Sequence, residues 1–201
     1  MRVPKFSGDF ELHLTLAVTD RDLTAIADEL GAKYTSIELD RGLTPLQPML
    51  TRSAKGTLPE MRALAARLTT LLDAQGVQVV RTKIEAAPWT DGLPESDVEA
   101  DPDLYWEHHI KLLLPPASDV DALTTVVSLH GARLSRNARR TRADGVLERF
   151  VTQRCHGVGR STARARLDGL LAALTHHKIA EVEEEYVVLD DRIGLDAGWL
   201  S

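Results

Sequence analysis

The stretch Glu11-Leu12-His13-Leu14-Thr15 decides how this chain folds. Leu12 and Leu14, continued by Leu16, alternate with Glu11, His13 and Thr15, the period-2 pattern of a strand buried on one face only. One face packs and the other presents chemistry. An altered form of the stretch returns as Glu107-His108-His109-Ile110-Lys111. The rest of the chain reads twice around these two strands.

In the first reading, Asp20-Arg21-Asp22 caps a helix whose Leu23, Ile26, Ala27 and Leu30 share a stripe, and Gly31 ends it as a left-handed residue would. A strand at 34–39 follows, then a loop with Gly42, Pro45 and Pro48, then a strand through Met49, Leu50 and Thr51. Pro59-Glu60 opens a long helix with Met61, Leu64, Ala65, Leu68, Leu71 and Leu72 on one face, and a last strand covers 77–86. The second reading gives strand 106–113, helix 119–129, strands 134–137 and 147–152, helix 161–174 and strand 179–189, with Gly131 standing where Gly31 stood. Glu11/Glu107, His13/His109, Thr51/Thr152 and Glu85/Glu185 fall at equivalent places. Such a match predicts an internal duplication.

The order strand, helix, strand, strand, helix, strand resembles the ferredoxin-like βαββαβ unit. The expected fold class is therefore α+β: two tandem ferredoxin-like repeats with antiparallel sheets, forming one pseudo-twofold molecule. The divisions are residues 1–90 for the first repeat, 91–103 for a linker, and 104–201 for the second repeat with a C-terminal extension. The linker carries Asp91, Glu95, Asp97, Glu99, Asp101 and Asp103 among Pro94 and Pro102. As the resemblance implies, the first strand of each unit lies between the third and fourth. Its open face then groups Glu11, His13 and Thr15 with Arg81, Lys83 and Glu85, and Glu107, His109 and Lys111 with Glu181, Glu183 and Glu185. Such faces are too charged for a core, so they meet water or face each other across a polar cleft. Trp199 and Leu200 are too apolar for a loose tail and are expected to dock on the body.

Composition narrows the class. With 201 residues, 43% hydrophobic and 27% charged, the chain is an ordinary globular sequence. One cysteine, Cys155, excludes an intramolecular disulfide and a four-thiolate zinc site, which favours a reducing, cytoplasmic setting. Met1-Arg2-Val3-Pro4-Lys5 leads into no signal-like apolar core, and no apolar run is of bilayer length, so neither secretion nor membrane insertion is expected. A net charge of −6 hides a basic segment between Gly131 and Leu170, where ten arginines, Arg140 among them, stand against three acids. Aromatics at 4% leave no base-stacking platform for long nucleic acid.

Paired histidines suit general acid and base work near neutral pH. His13-Leu14-Thr15 resembles the His-x-Thr/Ser motif of the two-histidine phosphoesterases, while His109-Ile110-Lys111 departs from it by placing lysine at the hydroxyl position. The resemblance implies metal-free action on cyclic phosphates or RNA ends, with His13, His109, Thr15 and Lys111 catalytic. Arg154, Arg160 and Ser161, around Gly157 and Gly159 at the start of a helix, are the expected anion cradle. A second reading takes His13, Glu85, His109 and Glu185 as ligands of a divalent metal cofactor, and resembles the vicinal-oxygen-chelate metalloenzymes in outline, although that family carries one helix per repeat. A third makes the chain a non-catalytic ligand-binding or assembly module, its charged residues pairing across strands on a solvated face. The leading expectation is a small cytoplasmic enzyme acting on a phosphorylated or anionic small molecule in the inter-repeat cleft. Its partners would be that ligand, or short RNA or a nucleotide, with no membrane and with a homodimer as an alternative assembly.

Overall fold

The computed structural model describes residues 5–139 and 142–200; Arg140 of the basic segment and the first four residues lie outside them. The chain runs β1 (Ser7–Leu16), α1 (Thr24–Glu29), β2 (Lys33–Leu39), β3 (Leu46–Thr57), α2 (Leu58–Ala74) and β4 (Val79–Ala86). It continues with β5 (Tyr105–Leu114), α3 (Val120–Leu129), β6 (Ala132–Asn137), β7 (Leu147–His156), α4 (Arg160–Ala173) and β8 (Lys178–Asp190), ending in a 3₁₀ turn over Ile193–Asp196. This is a mixed α+β fold with one large antiparallel sheet.

Local chemistry accounts for the helix limits. Glu60 accepts from the Thr57 N–H at 2.8 Å, closing a capping box around Pro59 at the start of α2. The Asp119 carboxylate accepts from the Ala122 N–H at 2.9 Å and starts α3. Gly31 and Gly131 both turn to left-handed φ, at 61° and 67°, as the two helix ends require. Helix α1 is shorter than its apolar stripe predicts, because Asp22 bonds the Thr24 N–H and hydroxyl and holds Leu23 outside the helix.

The strand order is β4-β1-β3-β2 in one half and β8-β5-β7-β6 in the other, so each half's first strand is central, as expected. The sequence pattern does not foretell the closure. β2 pairs with β6 from Ile37↔Asn137 to Leu39↔Ser135, and β4 pairs with β8 from Lys83↔Asp190 to Ala86↔Tyr186. Eight strands thus close into one barrel with no open edge. The four outer strands of two separate sheets would each expose unpaired amides, and mutual pairing satisfies them.

The helices lie outside. Leu12, Leu14 and Leu16 of β1 pack with Met61, Ala65, Leu68 and Leu72 of α2, while Ile110, Leu112 and Leu114 of β5 pack with α3 and α4 through Leu123, Val127, Leu167 and Leu170. Each such side chain contributes about 1.5–3 kcal/mol on burial. With the leucine faces turned outward to the helices, alternation turns Glu11, His13 and Thr15, and Glu107, His109 and Lys111, into the barrel. The polar cleft is a polar barrel interior.

Three segments depart from the sequence reading. β3 runs unbroken through Pro48 and Gly56, and β7 extends beyond the expected 147–152 through Cys155 and His156. Cys155 is buried against the helices, and His156 stacks on Tyr105 at 4.6 Å between ring centres. The acidic stretch 91–103 is packed against the body: Asp97 accepts from the Gly159 N–H at 2.8 Å, and Ser7 and Asp91 form a β-bridge. The C-terminal extension seals one end of the barrel. Trp199 is buried and donates to the Leu134 carbonyl at 3.0 Å, as its apolar character predicted. No helix among the described residues is long and apolar enough to cross a membrane.

Candidate functional site in the barrel interior

Three levels of polar side chains fill the barrel between its sealed end and its open one. At the sealed end, Arg81 of β4 forms a two-pronged bond to Asp190 at 2.9 and 2.5 Å and donates to Asp196 at 2.9 Å. Arg154 of β7 reaches Asp196 at 2.6 Å, Gln47 donates to it at 2.8 Å, and the Tyr105 hydroxyl donates to Asp190 at 2.7 Å. Burial alone would raise Asp196, but the Arg154 and Arg81 guanidiniums hold it below the usual carboxylate range. Burial disfavours the charge of Arg81 too, and Asp190 and Asp196 more than restore it. Tyr105 is pushed up by burial and by Glu107, and stays a neutral donor.

The middle level holds the histidines. His13 is 8% exposed; its Nδ1 lies 2.9 Å from the Thr51 hydroxyl and its Nε2 contacts Glu85 directly. His109, half-buried, repeats the arrangement: its Nδ1 is 3.1 Å from the Thr152 hydroxyl and its Nε2 3.2 Å from Glu107. Between them the Lys83 ammonium lies 2.6 Å from Glu85 and 3.1 Å from Glu107, and Arg154 donates to the other Glu107 oxygen at 2.7 Å. Burial would raise both glutamates; Lys83 and His13 pull Glu85 down, and Arg154 and Lys83 pull Glu107 well down. An alternating chain of charges thus runs from Glu85, which His13 contacts, through Lys83, Glu107, Arg154, Asp196 and Arg81 to Asp190.

The open end is acidic. A groove of about 710 Å³ is lined there by Asp9 and Glu11 of β1, Ser53 and Lys55 of β3, and Glu183, Glu184 and Glu185 of β8, with Trp89 beside it. Glu11 accepts from the Ser53 hydroxyl at 2.9 Å. Glu185 has no hydrogen bond and no ion pair among the described residues. Burial, then Glu85, Glu11 and Glu183, push its carboxyl well above the usual range, and Lys83 offsets only part of this.

The structure brings together some of the expected site residues and separates others. His13 and His109 share the interior through Glu85: His13, Glu85 and Glu185 form one group with ligand atoms within 4.8 Å of one another, and Glu85, Glu107 and His109 form a second. The four-ligand set His13, Glu85, His109 and Glu185 is therefore divided, with Glu85 common to both groups. Thr15 is buried beside them, paired in register with Arg81 and Met49. Lys111 stands over the Phe150 ring at 5.8 Å, with Glu181 opposite in register.

Arg154, Arg160 and Ser161 do not form one cradle. Arg154 is buried in the ion network, while Arg160 sits outside at the start of α4, 4.0 Å from Glu95. The amides at that helix start are already taken: Gly159 by Asp97, Arg160 by the Pro94 carbonyl at 2.9 Å, and Ser161 by the Glu95 carbonyl at 3.3 Å. Sequence reasoning missed Asp190 and Asp196, read as tail, and gave no role to Thr51 or Thr152. The equivalence of those two threonines in the repeat, at the same places as the histidines they hold, was the signal that could have found them.

No protein-family model and no curated protein matches the sequence. Among solved structures, three mutant chlorite dismutases from Candidatus Nitrospira defluvii align with it. One covers 91% of this chain and 92% of its own at 12% identity and a TM-score of 0.31; two others cover 94% and 93% at 14% and 15% identity, with TM-scores of 0.30 and 0.29.

Proposed function

We propose that the chain is a small enzyme that admits a neutral or cationic small molecule through the acidic mouth of the barrel and moves protons on it with His13 and His109. The observation that carries this reading is the convergence of both imidazole Nε2 atoms on the carboxylates around Lys83, each ring fixed from behind by a threonine hydroxyl. A ring held at Nδ1 keeps one tautomer and presents Nε2 for exchange. We also read the two halves as copies of one ancestral unit, supported by the recurrence of the His–Thr pair.

The charge of the mouth argues against phosphoester chemistry. Asp9, Glu11, Glu183 and Glu185 outnumber Lys55 around the groove, Glu184 is paired with Arg164 at 2.7 Å, and the interior cations Lys83 and Arg154 are already bonded to carboxylates. A phosphate would meet repulsion at entry, and the two cations nearest the histidines are already held by carboxylates. Amines, amides and neutral esters fit the field better. A turnover screen setting these against cyclic nucleotides tests the reading. Turnover is expected among the neutral and cationic compounds, with His13→Ala and His109→Ala each slower by about 10² to 10⁴. Turnover of cyclic nucleotides, or full rates in both variants, would overturn it.

A further inference from the structure

The geometry points to a divalent-cation site at the inner edge of the mouth, formed by His13 of β1, Glu85 of β4 and Glu185 of β8. The ligand atoms of these three lie within 4.8 Å of one another. His13 Nε2 and both Glu85 oxygens are sealed from solvent, and beyond their contacts with one another, Glu11 and Lys83 no hydrogen bond satisfies them. Such atoms carry a desolvation cost that a metal ion removes. Glu11, whose Oε2 is 3.8 Å from His13 Nε2, stands within reach as a fourth ligand on the groove side.

The second sphere is also present. Thr51 lies 2.9 Å from His13 Nδ1; with Nδ1–H donating to that hydroxyl, an arriving ion would take the Nε2 lone pair in place of the present contact with Glu85, the orientation that metal-bound histidines adopt. Lys83 holds Glu85 by Oε1 and leaves Oε2, the oxygen nearest His13, for the ion. Metal–nitrogen and metal–oxygen distances near 2 Å set ligand atoms about 3 Å apart, so binding replaces the direct His13–Glu85 contact by small side-chain rotations.

The sister group around His109 is not a second site. Lys83 lies within 3.1 Å of both of its carboxylates, and Arg154 neutralises Glu107 again, so internal cations occupy the place a metal would take. One ion per chain follows. A donor set of one imidazole and two or three carboxylates suits Mn²⁺ or Zn²⁺ better than Mg²⁺ or Ca²⁺, which favour oxygen alone.

A bound ion takes the His13 Nε2 lone pair that proton transfer would use, so the ion-loaded chain leaves proton transfer to His109; ion binding and turnover are read separately. Untagged, metal-stripped full chain is titrated with MnCl₂ and with ZnCl₂ by calorimetry, and stoichiometry is checked by elemental analysis after dialysis. One ion per chain is expected for at least one metal. His13→Ala and Glu185→Gln should each weaken binding tenfold or more, and Thr51→Val about tenfold to 100-fold, while His176→Ala, remote from the barrel interior, changes nothing. Circular dichroism confirms that the variants fold; Glu185→Gln, which removes an unpaired carboxylate, keeps the test valid if His13→Ala does not. Absence of binding by both metals, or binding that Glu185→Gln leaves intact, would overturn the site, whatever the turnover screen shows.

Discussion

The two halves of the barrel place the same histidine–threonine pair on the same strands and surround it with opposite charge balances. Around His13, Glu11 accepts from the Ser53 hydroxyl and lies 3.8 Å from His13 Nε2, and Glu185 has no hydrogen bond or ion pair among the described residues; around His109, Glu107 is held by both Lys83 and Arg154. Position by position, Arg154 on β7 stands where Ser53 stands on β3, and Arg81 and Lys83 on β4 stand where β8 has Glu181 and Glu183. Both β4 cations lean toward the second half and the sealed end. One half therefore serves as a neutralised structural lock, and the other keeps an uncompensated carboxylate at an open mouth. Equivalent backbone positions do not imply equivalent chemistry: the histidines recur, but their counter-ions decide what each can do.

The largest effect should come from breaking the lock. Arg154→Met leaves Glu107 and Asp196 buried with one cation fewer each and should cost about 3–5 kcal/mol in urea unfolding; the corresponding change in the other half, Ser53→Met, should cost far less. A result in which the two substitutions cost the same would remove the contrast between the halves.

Acid should open the lock next. Asp190 and Asp196 are held low by their arginines against the effect of burial, so the folded state binds fewer protons than the unfolded one. Their contribution is complete above the ordinary carboxylate range, about pH 4, and is lost as pH falls through their lowered values. His108, on the helix side, is also lowered by burial, with Nδ1 3.0 Å from Gln153. It adds a loss that starts below about pH 6.5. Glu185, raised by burial and by Glu85, works the other way and gains stability as pH falls toward the ordinary carboxylate range. Urea midpoints should therefore fall steeply below about pH 4, and His108→Gln should remove a loss below about pH 6.5 relative to the parent chain. A midpoint that rose below about pH 4, or a His108→Gln profile identical to the parent's, would contradict these assignments.

Smaller changes sharpen the comparison at the histidines. Thr51→Val and Thr152→Val each remove one hydrogen bond and should cost about 1 kcal/mol of stability, while metal affinity should respond to the first and not to the second. Glu185→Gln should raise stability by up to about 1 kcal/mol, because it removes a buried carboxylate pressed against Glu85 and Glu11 that Lys83 offsets only in part. Loss of stability in this variant would mean that Glu185 is compensated after all.

Much of this architecture was legible. The alternation in Glu11-Leu12-His13-Leu14-Thr15 and its return around His109 identified the central strands and the faces that carry charge, because strand periodicity is local. The glycines after α1 and α3 and the capping box at α2 were readable for the same reason. Barrel closure was not, since the edge pairings of β2 with β6 and β4 with β8 join segments about 100 residues apart and leave no local pattern. The floor of the site was hidden similarly: Arg81 and Asp196 are separated by 115 positions. The anion cradle at Arg160 failed because the amides of that helix start were judged free, while the acidic stretch taken for a linker folds back to occupy them. The sign of the mouth followed from packing, which buries Arg154 and leaves Glu183 and Glu185 at the rim.

The first half keeps an open site where Lys83 and Arg154 lock the second. Anomalous diffraction from crystals grown with Mn²⁺ distinguishes this from two equivalent sites: one peak per chain is expected, bounded by His13, Glu85 and Glu185, and none beside His109 and Glu107. A peak at the His109 group, or equal peaks at both, would contradict it.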